Sequence, residues 1–282
     1  MIFKGVCTAL VTPFKNDKSV DFVALEKLIK NQIDSGVDAI LVLGTTGESS
    51  TIDYYEREEI IRFARKNIIS PTKLIVGTGS NNTNLAIKNC IQARGLGADA
   101  VLCVTPYYNK STQNGIVDYY KKINEMNIPF FVYNVPSRTG VNILPNTYKT
   151  LTLLKNFAGI KEANGNIEHI LEVFEKVDCK KIYCGNDNLS FVFHTLGASG
   201  IISVTSNAYP EEVVLAWKNI DKHKKYAKKF YQINKDLFAE PNPIPIKYVL
   251  SKQKQIKNQL REPLTKIEQH HKKILDKDMQ SL

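Results

Sequence analysis

The sequence predicts an α/β protein, a (β/α)8 barrel of TIM type with a small C-terminal helical appendage. Three observations carry that reading. Short, near-continuously apolar runs, often β-branched, recur along the first 205 residues, as strands buried on both faces should. A helix-like segment follows each run, so every pair reads as part of a βαβ unit. There are eight such runs, the number that closes a barrel. A doubly wound sheet shares the unit, but no G-x-G-x-x-G follows the first run, and GTGSNN (Gly77–Asn82) does not fit that fingerprint.

The runs are Val6–Val11, Ala39–Leu43, Leu74–Val76, Ala100–Val104, Phe130–Tyr133, Ala158–Lys161, Ile182–Cys184 and Gly200–Val204. The N-terminal MIFKGVCTALVTPF has too short an apolar core for a signal peptide and reads as the first strand. Asp53-Tyr-Tyr-Glu56 reads as a capping box that opens an amphipathic helix, and another helix runs through Leu85–Arg94. Beyond about Ala208 the strand pattern stops and the chain reads helical to its end. PNPIPIK (Pro241–Lys247) interrupts it, because three prolines in five positions cannot continue a helix. The expected division is a catalytic barrel over residues 1–222 and a helical region over 223–282.

Composition narrows the function classes. A chain of 282 residues, 43% hydrophobic and 23% charged, can bury a full core. No apolar run reaches membrane-spanning length, so a cytoplasmic protein without a membrane partner is expected. The five cysteines form no C-x-x-C pair and are odd in number, which argues against a disulfide framework. The five histidines show no H-E-x-x-H or mixed Cys/His spacing. Neither a metal nor a cofactor is expected.

The net charge of +10 raises a nucleic-acid partner as a reading. From Asp221 onward there are 15 Lys and Arg against 7 Asp and Glu, which holds most of that excess. These lysines are spread around helical segments such as DKHKKYAKKFYQI, without the aromatic or Gly-rich context of a nucleic-acid module. A solvated basic face is the expectation, with no nucleic acid bound. The residual field favours small anionic substrates.

Barrel enzymes place their active site at the C-terminal ends of the strands. GTTGES (Gly44–Ser49) follows the second run, TPYYN (Thr105–Asn109) the fourth, and YNVPSRTG (Tyr133–Gly140) ends the fifth. Lys161 ends the sixth, inside FAGIKEANGN, and GND (Gly185–Asp187) follows the seventh. All converge on one mouth. A lysine amine attacks a carbonyl only when neutral, and at an ordinary pKa only about one in 2,500 is neutral at pH 7. Burial against an apolar run disfavours the ammonium, so a lysine in this place points to Schiff-base chemistry. Tyr133 supplies a phenol for proton shuttling, Thr45 a hydroxyl that both donates and accepts, and Arg138 a fork suited to a carboxylate. The Gly44-Thr-Thr-Gly47 turn offers backbone N–H groups as an anion nest.

Through GTTGES, VTPYYN, YNVPSRTG, GIKEANGN, GIISVTSN and EPNPIPIK the sequence resembles, nearly end to end, the dihydrodipicolinate synthase family of pyruvate-dependent class I aldolases. The resemblance implies a lyase in which Lys161 forms an imine with pyruvate. Tyr133, Thr45 and Tyr108 match the proton relay, with Tyr108 acting in the neighbouring subunit's site. Thr46, with backbone groups near Gly185 and Ile202, would hold the pyruvate carboxylate. Arg138 matches the arginine that receives the carboxylate end of L-aspartate 4-semialdehyde. The product would be 4-hydroxy-tetrahydrodipicolinate, on the route to lysine and diaminopimelate, and the usual assembly is a homotetramer. The sialic-acid lyase branch is similar in fold and lysine, but it typically lacks S-R-T-G and reads G-S-T-G where this chain has Gly44-Thr-Thr-Gly47.

The family's lysine feedback site carries over less well. Ser49, Asn81 and Tyr107 match it. However, Leu85 stands where inhibited enzymes have a glutamate, and Tyr54 and Arg57 replace histidines. Weak or absent inhibition by lysine is the expectation.

Overall fold

The computed structural model describes residues 1–282. Eight strands form: β1 (Gly5–Ala9), β2 (Ala39–Val42), β3 (Lys73–Gly77), β4 (Ala100–Val104), β5 (Phe130–Asn134), β6 (Phe157–Glu162), β7 (Ile182–Cys184) and β8 (Gly200–Ser203). Each pairs in parallel with the next and β8 closes on β1, so the barrel is complete. Every expected strand is present, two with the expected bounds and the others with ends moved by at most two residues. The first stops at Ala9 rather than Val11, because the Val11 N–H leaves the ladder and donates to Asn207 Oδ1 at 3.0 Å.

Two apolar layers hold the barrel. A cluster of 65 buried residues lies mainly between the strands and the surrounding helices. A second of 14, including Cys7, Leu41, Phe131, Tyr133, Tyr183 and Ile202, fills the lumen. Burial from both sides is why the strands read as continuous apolar runs rather than alternating ones. Along β5, Phe130 and Val132 join the outer layer while Phe131 and Tyr133 point inward.

A bulge breaks this alternation in β6. Phe130 pairs with Phe157, but Phe131 pairs with Gly159, so β6 carries one extra residue there. Phe157 and Ile160 belong to the outer layer and Ala158 to the lumen. Strict period-two alternation from Phe157 would turn Lys161 outward. The extra residue resets the phase, so Lys161 shares the inward register of its partners Tyr133 and Tyr183. Gly159 makes the bulge tolerable, since a Cβ there would lie 2.9 Å from the Tyr183 ring and 2.7 Å from the Lys181 carbonyl oxygen.

The helix Tyr54–Asn67 opens on the expected capping box, with Asp53 Oδ1 accepting from Glu56 N at 2.9 Å and Glu56 Oε2 from Asp53 N at 3.3 Å. The helix read at Leu85–Arg94 spans Thr83–Gly95 and is capped by Asn82. Two expectations for the C-terminal region need correction. PNPIPIK does not only break a helix: Ile244–Lys252 is helical, and Pro245 sits in its first turn, where no backbone N–H is required. The chain is also not helical to its end, since 253–268 is irregular before the last helix, Gln269–Gln280. The division drawn after residue 222 falls within the helix Ile220–Lys229. No helix is long and apolar enough to cross a membrane.

Candidate active site

Lys161 is 5% exposed, and its ammonium lies 4.3 Å from the centroid of the Tyr133 ring. No carboxylate pairs with it; the face of the Tyr133 ring is the partner of its cation. Burial pushes the Cys7 and Cys184 thiols up, while the Lys161 charge pulls both the other way. Burial likewise raises Asp187, against hydrogen bonds from the Ser203 hydroxyl and Val204 N–H and the pull of Lys161. The lysine stem is shaped by Gly185: a Cβ there would meet Lys161 Cγ at 3.0 Å and Ala163 Cβ at 2.9 Å.

The ends of β5 and β6 are locked to each other. Glu162, fully buried, accepts from Asn134 Nδ2 at 3.0 and 3.1 Å, from the Tyr148 hydroxyl at 2.8 Å and from Asn164 N at 2.7 Å. These bonds lie one residue beyond Tyr133 and Lys161, whose backbones pair in register. They therefore set where the phenol and the amine meet.

The turn after β2 is the candidate anion nest. Glycine N–H 47 bonds the Gly44 carbonyl at 3.0 Å and Glu48 N the Thr45 carbonyl at 3.1 Å, whereas the Thr45 and Thr46 backbone N–H groups have no partner in the chain. Non-glycine residues with left-handed φ stand on either side of it, Leu43 at 56° and Glu48 at 54°. Strain of this kind persists only where surrounding contacts over-determine it. The Thr46 hydroxyl is buried and accepts from Asn242 Nδ2 at 2.8 Å.

Arg138 lies on the short helical turn Pro136–Thr139, closed by Gly140 at φ 68°. Its Nη2 donates to the Asn242 carbonyl at 2.9 Å, and the side chain is otherwise open. Asn242 thus joins Thr46 to Arg138 across the mouth. Sequence reasoning passed over it, though it sits in the proline-rich segment already singled out. Of the remaining residues read for the carboxylate, Ile202 is buried on β8, facing the lumen. The Gly185 N–H donates to the Glu162 carbonyl at 2.7 Å and is not free for a carboxylate, which leaves its lack of a side chain as its contribution.

Tyr108 is not brought to Lys161. It is 90% exposed and held at φ 67°. A cavity of about 550 Å³ beside the mouth is lined by Thr45, Arg138 and Asn242 at one side and by Ser49, Tyr54, Arg57, Leu85 and Tyr107 at the other. Lys161 and Tyr133 do not line it, so it is an adjoining cleft rather than the chemical centre. Asn81 does not line it either; its carbonyl accepts from Asn109 Nδ2 at 2.9 Å. Arg57 is 6% exposed, donates to the Gly77 carbonyl at 3.0 Å, and is lowered to about 10 by burial. The one carboxylate lining the cleft, Glu48, is paired with Lys247. Away from the mouth, exposed Glu268 and His270 with partly buried His271 come within 4.8 Å of one another, a grouping that spacing alone did not flag.

Comparison with known proteins agrees with this geometry. The sequence profile described as the Dihydrodipicolinate synthetase family matches residues 2–282. The chain is 45% identical to the 4-hydroxy-tetrahydrodipicolinate synthase of Alkaliphilus oremlandii, over 98% of this chain and 97% of that one. It is 43% identical to the synthase of Clostridium novyi, over 97% and 95%. The solved dihydrodipicolinate synthase of Thermotoga maritima superposes with a TM-score of 0.96 at 40% identity, covering 99% of this chain and 98% of that one. A lysine buried in a barrel lumen, a threonine nest and an arginine at the mouth thus occur on a chain aligned nearly end to end with these proteins, and it belongs to the dihydrodipicolinate synthetase family.

Proposed function

We propose that the protein condenses pyruvate with L-aspartate 4-semialdehyde through a Schiff base on Lys161, giving 4-hydroxy-tetrahydrodipicolinate for lysine and diaminopimelate synthesis. The observation that carries this reading is a luminal lysine with no carboxylate partner, in register with a tyrosine. Family membership supports the pair of substrates. The assembly we propose is a cytoplasmic homotetramer in which Tyr108 completes the neighbouring subunit's relay; its 90% exposure supports a role outside its own barrel.

In this mechanism the neutral Lys161 Nζ attacks C2 of pyruvate. The pyruvate carboxylate sits on the unpaired Thr45 and Thr46 N–H groups, which fixes the carbonyl over the amine. Protons pass through Tyr133 and Thr45 as the carbinolamine loses water and the imine forms. Loss of a C3 proton gives the enamine, whose C3 attacks the aldehyde of the second substrate; the new alkoxide takes up a proton. The substrate amine then adds to C2, closes the ring and displaces Lys161. Borohydride reduction with pyruvate, followed by intact mass and peptide mapping, tests the first half. A pyruvyl adduct on Lys161 is expected, and its absence from folded protein rejects the imine.

Arg138 is assigned to the second substrate alone. Arg138→Leu is expected to raise the KM for aspartate semialdehyde about 30-fold or more, the loss of a charge-assisted bidentate bond of about 2 kcal/mol or more. Borohydride trapping of pyruvate should stay near wild type. Equal loss of trapping would remove Arg138 from that role.

The cleft beside the mouth supports the expected insensitivity to lysine. Its cation-accepting carboxylate is missing at Leu85, and a buried guanidinium, Arg57, lies in its wall. Where partner contacts enclose the cleft, lost attraction and added repulsion would disfavour a cationic ligand by about 2–5 kcal/mol. No half-inhibition is expected below about 1 mM lysine, and steady-state inhibition curves that reach it would contradict this account.

A further inference from the structure

Lys161 is not the only lysine inside the molecule. Lys247, in the helix Ile244–Lys252, is fully buried, and its ammonium meets the equally buried carboxylate of Glu48. Glu48 Oε1 has no other partner, and its Oε2 accepts the Arg261 backbone N–H at 3.0 Å. Lys247 Nζ also donates to the Gln259 carbonyl at 3.0 Å and lies 4.0 Å from the centroid of the Phe14 ring. Both charges have left water for this arrangement. Burial brings the Lys247 ammonium down to about 8 even with Glu48 facing it.

A buried ion pair is weak evidence for stability, because desolvation offsets its attraction. What this one holds is more telling. Glu48 is the left-handed residue that ends the turn carrying Thr45 and Thr46, and its own N–H bonds the Thr45 carbonyl at 3.1 Å. Fixing the Glu48 carboxylate therefore fixes a backbone that would otherwise relax out of a sparsely populated conformation.

We propose that Lys247 is a positioning residue for the reaction: through Glu48 it holds the Gly44–Gly47 turn so that the Thr45 and Thr46 N–H groups face the substrate carboxylate. The C-terminal segment is then part of the active site rather than an appendage to it. Asn242 grips the same turn from the same segment, by its bond to the Thr46 hydroxyl. The functional side of this inference rests on the proposed reaction; the structural side does not.

Two full-length variants test it. Lys247→Met leaves the Glu48 carboxylate buried and alone, and it lowers stability as well as loosening the turn. The double variant Glu48→Gln/Lys247→Met buries no unpaired charge, its glutamine oxygen still accepts from Arg261 N–H, and its amide replaces Lys247 as the nearest donor for the Gln259 carbonyl, so most of the Tm lost in Lys247→Met is expected to return. In the double variant, amide exchange across Leu43–Thr51 is expected to rise about tenfold or more over wild type, with the strands unchanged. The KM for pyruvate rises toward about 100-fold, the scale of a misplaced binding group, while kcat falls less.

A purely structural pair predicts the reverse, with KM restored along with Tm in the double variant, and that result overturns the proposal. Unchanged exchange in the turn overturns it as well. If the wild type forms no pyruvyl adduct on Lys161, the reaction fails on its own account. The exchange comparison still decides whether Lys247 holds the turn.

Discussion

Lys161→Met is expected to abolish the borohydride-trapped pyruvyl adduct and to lower kcat about 1,000-fold or more, because it removes the nucleophile itself. Methionine keeps much of the stem that packs against Gly185 and removes only the amine. The same change is expected to leave Tm at or above the wild-type value. Lys161 has no carboxylate to orphan, so deleting its charge strands no buried partner, and the desolvation cost of the ammonium disappears. Thermal denaturation and trapping on the same preparation check both halves. A clear fall in Tm would mean that the lysine holds the barrel mouth together, and the catalytic assignment would lose its physical basis.

Glu162→Ala is expected to do the opposite, with a large loss of stability that drags activity down. Its carboxyl group is the shared acceptor for Asn134, Tyr148 and the Asn164 N–H, all within hydrogen-bonding distance and away from solvent. Alanine leaves the Tyr148 hydroxyl buried and unpaired, takes away the partner of the Asn164 N–H and leaves Asn134 Nδ2 only its bond to Asn142 Oδ1, at a cost of about 3–5 kcal/mol. In a chain of this size that corresponds to a fall of roughly 5–8 °C in Tm. Glu162→Gln keeps one acceptor oxygen but turns an amide toward the Asn134 donor, so it should lie between wild type and alanine. Because the network joins the ends of β5 and β6, surviving protein should trap pyruvate more slowly. A Glu162→Ala protein that melts with wild type would show that the donors find water or each other.

Much of this was legible in the sequence because it is local. Strand runs, the capping box at Asp53 and the placement of loops at one barrel mouth follow from residue type and spacing within a few positions. Lys161 was readable as a strand-end oddity, and Thr45, Thr46 and Arg138 as polar residues at neighbouring strand ends. Glu162 was not singled out. A carboxylate directly after Lys161 reads as the polar side of a strand end, and its three donors come from β5, from the loop after β6 and from the Pro145–Leu151 helix.

What the sequence by itself determined is the fold class and the candidates for the reactive side chains, since hydrophobic period and residue chemistry are properties of short stretches. The tertiary structure decided which way those side chains point and what holds them. Counting alternation from Phe157 turns Lys161 outward; only the pairing of β6 with β5 reveals the extra residue that turns it in. Thr46 meets Asn242 across 196 residues of chain, and Lys247 closes on Glu48 from the same distant segment. Such contacts have no signature in spacing, because barrel closure and the return of the C-terminal chain create them, and each depends on desolvated polar groups finding the one partner the fold brings within reach.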